Sequence, residues 1–137
     1  AADRAQHISE LIKPALIKGD WVISDRFSGS TIAYQGFGRQ LNINVIEQLE
    51  KIATQGLKPD LTILLDLPVQ KSISRRKKAL DDRIEKEGAE FLEHVSSGFL
   101  ELAKKREWIK ISADASPNQI SKKIETEISN ILQENNS

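Results

Sequence analysis

Residues 59–68 read Pro-Asp-Leu-Thr-Ile-Leu-Leu-Asp-Leu-Pro. Positions 61–65 are apolar almost without a break, closed by Asp66-Leu67-Pro68. A strand with one wet face alternates, whereas a continuous run means burial on both faces, as in a parallel sheet. Two shorter runs extend the reading: Trp21-Val22-Ile23-Ser24, ending at Asp25-Arg26, and Trp108-Ile109-Lys110-Ile111, ending at Ser112. Helical patterns separate them. Ile8, Leu11, Ile12 and Ala15 share one face of an opening helix that Pro14 kinks or restarts and Gly19 stops. Residues 28–42 predict a short helix and a loop. Residues 44–55 predict a helix capped by Asn44, with Val45, Ile46, Leu49, Ile52 and Ala53 as its stripe and Gly56 as its end. Residues 69–78 predict a helix that turns basic. The next helix buries Phe91, Leu92, Val95, Phe99, Leu100 and Leu102, and the last starts at Pro117 and carries Ile120, Ile124, Ile128, Ile131 and Leu132.

The resulting order, α-β-α-α-β-α-α-β-α, predicts an α/β fold with a parallel sheet flanked by helices. Ligands in such sheets bind beyond the carboxyl ends of the strands. That selects Asp25-Arg26 onward, Asp66 onward and the loop at 112–116.

Composition narrows the function. The chain has 137 residues, with 20 Lys+Arg against 20 Asp+Glu and 39% hydrophobic residues. Zero net charge gives no bulk attraction to nucleic acid or an acidic membrane, so neither is expected as a partner. Without Cys there is no disulfide framework, no thiolate metal site and no Cys nucleophile. No apolar run approaches the roughly 18 residues needed to span a bilayer, and a cytoplasmic protein is expected. The chain has no Met, and its first helix has no cap residue ahead of it, so it reads as the C-terminal portion of something longer.

The first candidate place holds Asp25, Arg26, Ser28, Ser30, Thr31, Tyr34, Gln35 and Arg39. An Arg fork can hold a phosphate while the carboxylate orients it or a metal-bound water. The hydroxyls and amide downstream could read a polar heterocycle edge. A salt-bridged Arg followed by helix-capping hydroxyls would account for the same residues. The second place is Arg75, Arg76, Lys77, Lys78 and Arg83, which reads either as a phosphate clamp or as a solvated helix face paired with Asp81, Asp82, Glu85 and Glu87. Arg4 precedes an apolar stripe and would ordinarily be exposed. His7 and His94 have no partner at metal-ligand spacing, and no metal ligand is assigned.

Taken in order, several stretches resemble the thymidylate kinase family of the bacterial type. They are DRAQH at 3–7, GDWVISDRFSGSTIAYQGFGR at 19–39, PDLTILLDLP at 59–68, DRIE at 82–85, FLELA at 99–103 and DAS at 114–116. The resemblance implies a P-loop kinase fold and transfer of the γ-phosphoryl group of ATP to dTMP, giving dTDP, with Mg²⁺ and in a homodimer. It implies that Arg26 binds the dTMP phosphate with Asp25 beside it. Arg4 reaches the base and phosphate region, Ser30 and Thr31 meet the thymine edge, Tyr34 packs under the deoxyribose, and Gln35 lines the same pocket. The basic stretch at about 75–87 resembles the LID, with Arg75, Arg76, Lys78 and Arg83 as the phosphate-clamping cations. Asp114, Ala115 and Ser116 flank the adenine.

The departure is the phosphate cradle. No Gly-x-x-x-x-Gly-Lys-Ser/Thr run occurs in the 137 residues. The expectation is therefore the C-terminal part of one kinase domain, 1–137, lacking the first strand and P-loop and inactive by itself. A non-catalytic fragment that binds nucleotide or dimerises through helix 44–55 is the alternative. Another P-loop kinase acting on a different monophosphate is a third reading, and Thr31, Tyr34 and Gln35 favour thymine against it.

Overall fold

A computed structural model describes residues 2–77 and 86–137. These form two compact units, Ala1–Lys58 and Pro59–Ser137.

The first unit is helical. It opens with α1 (Ala2–His7), widens into a π-helical stretch (Ile8–Ile12) and resumes as α2 (Lys13–Ile17). Pro14 explains the widening. It has no N–H to give the carbonyl four residues back, and the Lys13 N–H bonds the Ile8 carbonyl one step further than an α-helix would. Gly19, at φ +85°, ends α2 as expected: its N–H bonds the Leu16 carbonyl and the Asp20 N–H bonds that of Ala15. Next come α3 (Ser28–Thr31), a second π-helical stretch (Ile32–Gly38) and α4 (Ile43–Ala53). The cap of α4 is Asn42, two residues before the expected Asn44, and its side chain accepts from the Val45 N–H. Helix α4 packs on α1, α3 and the second π stretch around Ile8, Ile12, Ile32, Ala33, Ile46 and Ala53. At Gly36 a Cβ would stand 3.1 Å from Ile43 Cγ1, so this close approach suits glycine.

The expected strand at 21–24 does not form a ladder. A strand exists only through a hydrogen-bonded neighbour, and among the described residues these four have none. Trp21 is left 66% exposed and Ile23 90% exposed.

The second unit holds a two-stranded parallel sheet, β1 (Ile63–Asp66) with β2 (Ile109–Ser112), in the register Ile63↔Ile109 to Asp66↔Ser112. The connection runs through α5 (Val69–Lys77) and α6 (Lys86–Lys105), which pack on each other, and α7 (Pro117–Asn135) packs on β2. Val69, Ile73, Val95, Leu102, Ala103 and Ile111 form this core. The parallel pairing is as expected, but burial of β1 on both faces is not. Leu65 is exposed, because β1 has one ladder partner among the described residues. Helix α7 presents its isoleucines half-buried, and its start is fixed by a reciprocal cap between Ser116 and Gln119.

Candidate functional site

The first place is assembled from three helices of the first unit. Arg4 leaves α1 and its Nη1 donates to the Thr31 hydroxyl at 3.1 Å and pairs with the Glu50 carboxylate of α4. The guanidinium also lies over the Phe27 ring, 5.9 Å from its centre. Arg4 is therefore half-buried and held from three sides, not the exposed residue its sequence position suggests. Arg26 stands at the bend that opens α3, at φ 68°, a conformation bulky residues rarely adopt. The Ser24 hydroxyl donates to the Arg26 carbonyl at 2.7 Å and holds the bend. The Arg26 guanidinium reaches across to the Tyr34 ring at 5.5 Å, a cation–π distance.

The structure thus brings Arg4 onto Thr31 and Arg26 onto Tyr34. Asp25 is exposed beside Arg26, and Ser30 and Gln35 are half-buried on the same helical run. Sequence reading missed Glu50. Its signal was present: Ile46, Glu50 and Ala53 share the buried face of α4, so the stripe contains a charge at a core position.

The second place lies at the carboxyl ends of the two strands. The Ala113 N–H bonds the Asp66 carbonyl at 2.8 Å and closes the strand ends together. From α5, Arg75 donates through both terminal nitrogens to the Ala113 carbonyl, at 3.3 and 3.4 Å, and stands 3.9 Å from the Asp114 carboxylate. Lys71, one turn earlier, pairs with Asp114 directly. A hydrogen bond and the charge of Lys71, with Arg75 beyond it, hold the Asp114 carboxyl below its ordinary value of 3.8. So Arg75 and the loop 114–116, read as separate places in the sequence, meet here, through a Lys71 that sequence reading did not single out. Arg76 is exposed on α5, Ala115 is half-buried and Ser116 caps α7. Lys78 and Arg83 lie outside the described residues. Among the described residues no three His, Cys, Asp or Glu side chains cluster as a metal site would require. No helix described is long and apolar enough to cross a membrane.

A family model described as Thymidylate kinase matches residues 1–124. The chain belongs to the thymidylate kinase family. The thymidylate kinase of Prochlorococcus marinus strain NATL2A is 58% identical over 132 residues, covering 96% of this chain and 63% of that protein. That of Prochlorococcus marinus strain MIT 9313 is 54% identical, covering 93% and 59%. That of Synechococcus sp. strain CC9605 is 56% identical, covering 93% and 61%. The chain spans about 60% of the length of these thymidylate kinases. The 1–124 match includes both candidate places, so Arg4, Arg26, Thr31 and Arg75 all stand within the stretch shared with the family.

Proposed function

We propose that the protein carrying this chain phosphorylates dTMP with ATP, giving dTDP, as a cytoplasmic homodimer of the P-loop kinase fold. The observation that carries this reading is the Arg4–Thr31 bond beside the Arg26–Tyr34 pair in a chain of the thymidylate kinase family. Phosphoryl transfer needs positioning and charge neutralisation more than covalent help. Arg26 offers a planar fork to the dTMP phosphate. Its stacking on Tyr34 limits the directions that fork can take, and the same ring supplies a floor for the deoxyribose. Arg4, Thr31, Ser30 and Gln35 read the base edge. Arg75, Arg76, Lys78 and Arg83 clamp the ATP phosphates, and Asp114, Ala115 and Ser116 flank the adenine.

The donor chemistry at Asp25 suits magnesium. Mg²⁺ takes one or two carboxylates and completes its shell with phosphates and water, and Asp25 presents an exposed carboxylate next to the phosphate-binding Arg26. When bound, the ion neutralises charge on the transferring phosphoryl group. The 137 residues contain no Gly-Lys-Ser/Thr run, so in this reading residues outside them cradle the β- and γ-phosphates.

A coupled assay of the intact protein tests the reading. ATP-dependent turnover should be fastest with dTMP among the nucleoside monophosphates. Arg26→Ala should raise KM for dTMP about 10- to 100-fold, the cost of losing a charged hydrogen bond to phosphate, while KM for ATP stays within about twofold. A guanylate preference, or unchanged dTMP kinetics in Arg26→Ala, would overturn it.

A further inference from the structure

Glu50 is 4% exposed and lies in the last turn of α4. Helix α4 gains nothing from a carboxylate there. The stripe of Ile46 and Ala53 calls for a hydrophobe, and the carbonyls at a helix C-terminus repel an anion. An uncompensated buried carboxylate is strongly destabilising. The compensating charge comes from Arg4, 46 residues away in sequence. A buried pair of this kind is weak evidence for a stability role, since a well-packed hydrophobe in its place is often as stable. What the pair does supply is a guanidinium held in one place.

That place is decided by a second bond. The same Arg4 Nη1 donates to Thr31 Oγ1 at 3.1 Å. A guanidinium has donors and no acceptor, so Thr31 accepts here. The hydroxyl proton of Thr31 is left for another acceptor, and none is found for it among the described residues.

We propose that Glu50 is a positioning residue for nucleotide recognition: it locks Arg4 against Thr31, so that the Thr31 hydroxyl is presented as a donor to a carbonyl on the pyrimidine edge. The chemistry selected is a 4-keto pyrimidine over a 4-amino one. This rests on the dTMP reading above and assigns the residue that holds its base-reading contact in place.

Steady-state kinetics of the intact protein with dTMP and with dCMP test it, on wild type, Glu50→Gln, Glu50→Asp, Thr31→Val and the Glu50→Gln/Thr31→Val double variant. Glu50→Gln should raise KM for dTMP about tenfold, leave KM for ATP within about twofold, and lower the preference for dTMP over dCMP. In the double variant that preference should fall no further than in Thr31→Val alone, because both changes break one relay. Glu50→Asp keeps the charge but draws it back by one methylene, and its preference should fall between wild type and Glu50→Gln. A lowered Tm with unchanged preference in Glu50→Gln would make Glu50 merely structural and overturn the proposal. If Glu50→Gln does not fold, an unchanged preference in Glu50→Asp overturns it equally. A wild type that leaves dTMP untouched overturns the activity reading, and this proposal with it. A wild type active on dTMP with insensitive Glu50 variants overturns the proposal alone.

Discussion

Asp114 illustrates how a single charge reports its surroundings. Lys71 and Arg75 hold its carboxyl below the ordinary value of 3.8, so the folded state favours the ionised form more than the unfolded chain does. A depressed carboxyl contributes stability above its unfolded value, and that contribution is lost as pH falls through the lower folded value. The melting temperatures of wild type and Asp114→Asn should therefore differ at pH 7 and converge only once the pH has fallen past 3.8 and through the lower folded value. The pair is exposed, so the difference should be small and should shrink in high salt; thermal melts from pH 7 down through that lower value, with and without added salt, check both. Lys71 and Asp114 are 43 residues apart in sequence, and only the closure of the two strand ends brings them together. Local pattern cannot show such a pair. Glu50 was hidden for a different reason. A Glu on an amphipathic helix is normally read onto the wet face, and here the helix phase, not the residue type, carried the information. Arg26 was singled out as a charge closing an apolar run, a strand-end reading that the structure does not bear out, since no ladder forms before it among the described residues.

Among the elements, α4 bears the most on the site, since it carries Glu50 and packs on α1, α3 and the second π stretch. Its entry depends on Asn42, whose side chain satisfies the Val45 N–H at 3.3 Å. Asn42→Ala should cost about 1 kcal/mol. A urea titration should show a lower midpoint with an unchanged slope; an unmoved midpoint would mean that water caps the helix as well. Its exit is held by a side chain as well as by backbone. Gln55, at φ 53°, accepts from Lys13 Nζ at 2.5 Å and donates to Ser9 Oγ at 2.8 Å, tying the end of α4 to α2 and the first π stretch. The apolar spacing of the helices made most of them readable. The two π stretches were not readable, because periodicity over a few residues does not separate a widened turn from a regular one. Pro14 was the one sign of a disturbance.

Across the whole molecule, the apolar residues that sequence reading assigned to a third strand remain in water. Continuous apolarity at 21–24 states what the segment requires, which is burial between neighbours, and a sequence cannot show whether the neighbours are at hand. Ile17 on α2, with Val45, Leu49 and Ile52 on α4, is exposed as well. Exposed apolar area on this scale drives association. The isolated 137-residue chain should therefore self-associate at micromolar concentration and bind a hydrophobic dye, as dynamic light scattering and dye fluorescence would show. A clean monomer with a sharp cooperative melt would contradict this. The parallel β1–β2 pairing was legible because both apolar runs, 61–65 and 108–111, stand in the sequence and pair with each other.

The backbone at Arg26 carries an evolutionary consequence. Its φ of 68° suits glycine far better than arginine. Among variants of this position, Arg26→Gly should be more stable than Arg26→Ala by about 1 kcal/mol, and both should lose the guanidinium. A library screened only for resistance to heat would collect glycine at 26. Under the dTMP-binding role proposed for Arg26, the same library screened for phosphorylation of dTMP by the intact protein should reject it. In that role, the demands of folding and of turnover would pull in opposite directions at position 26.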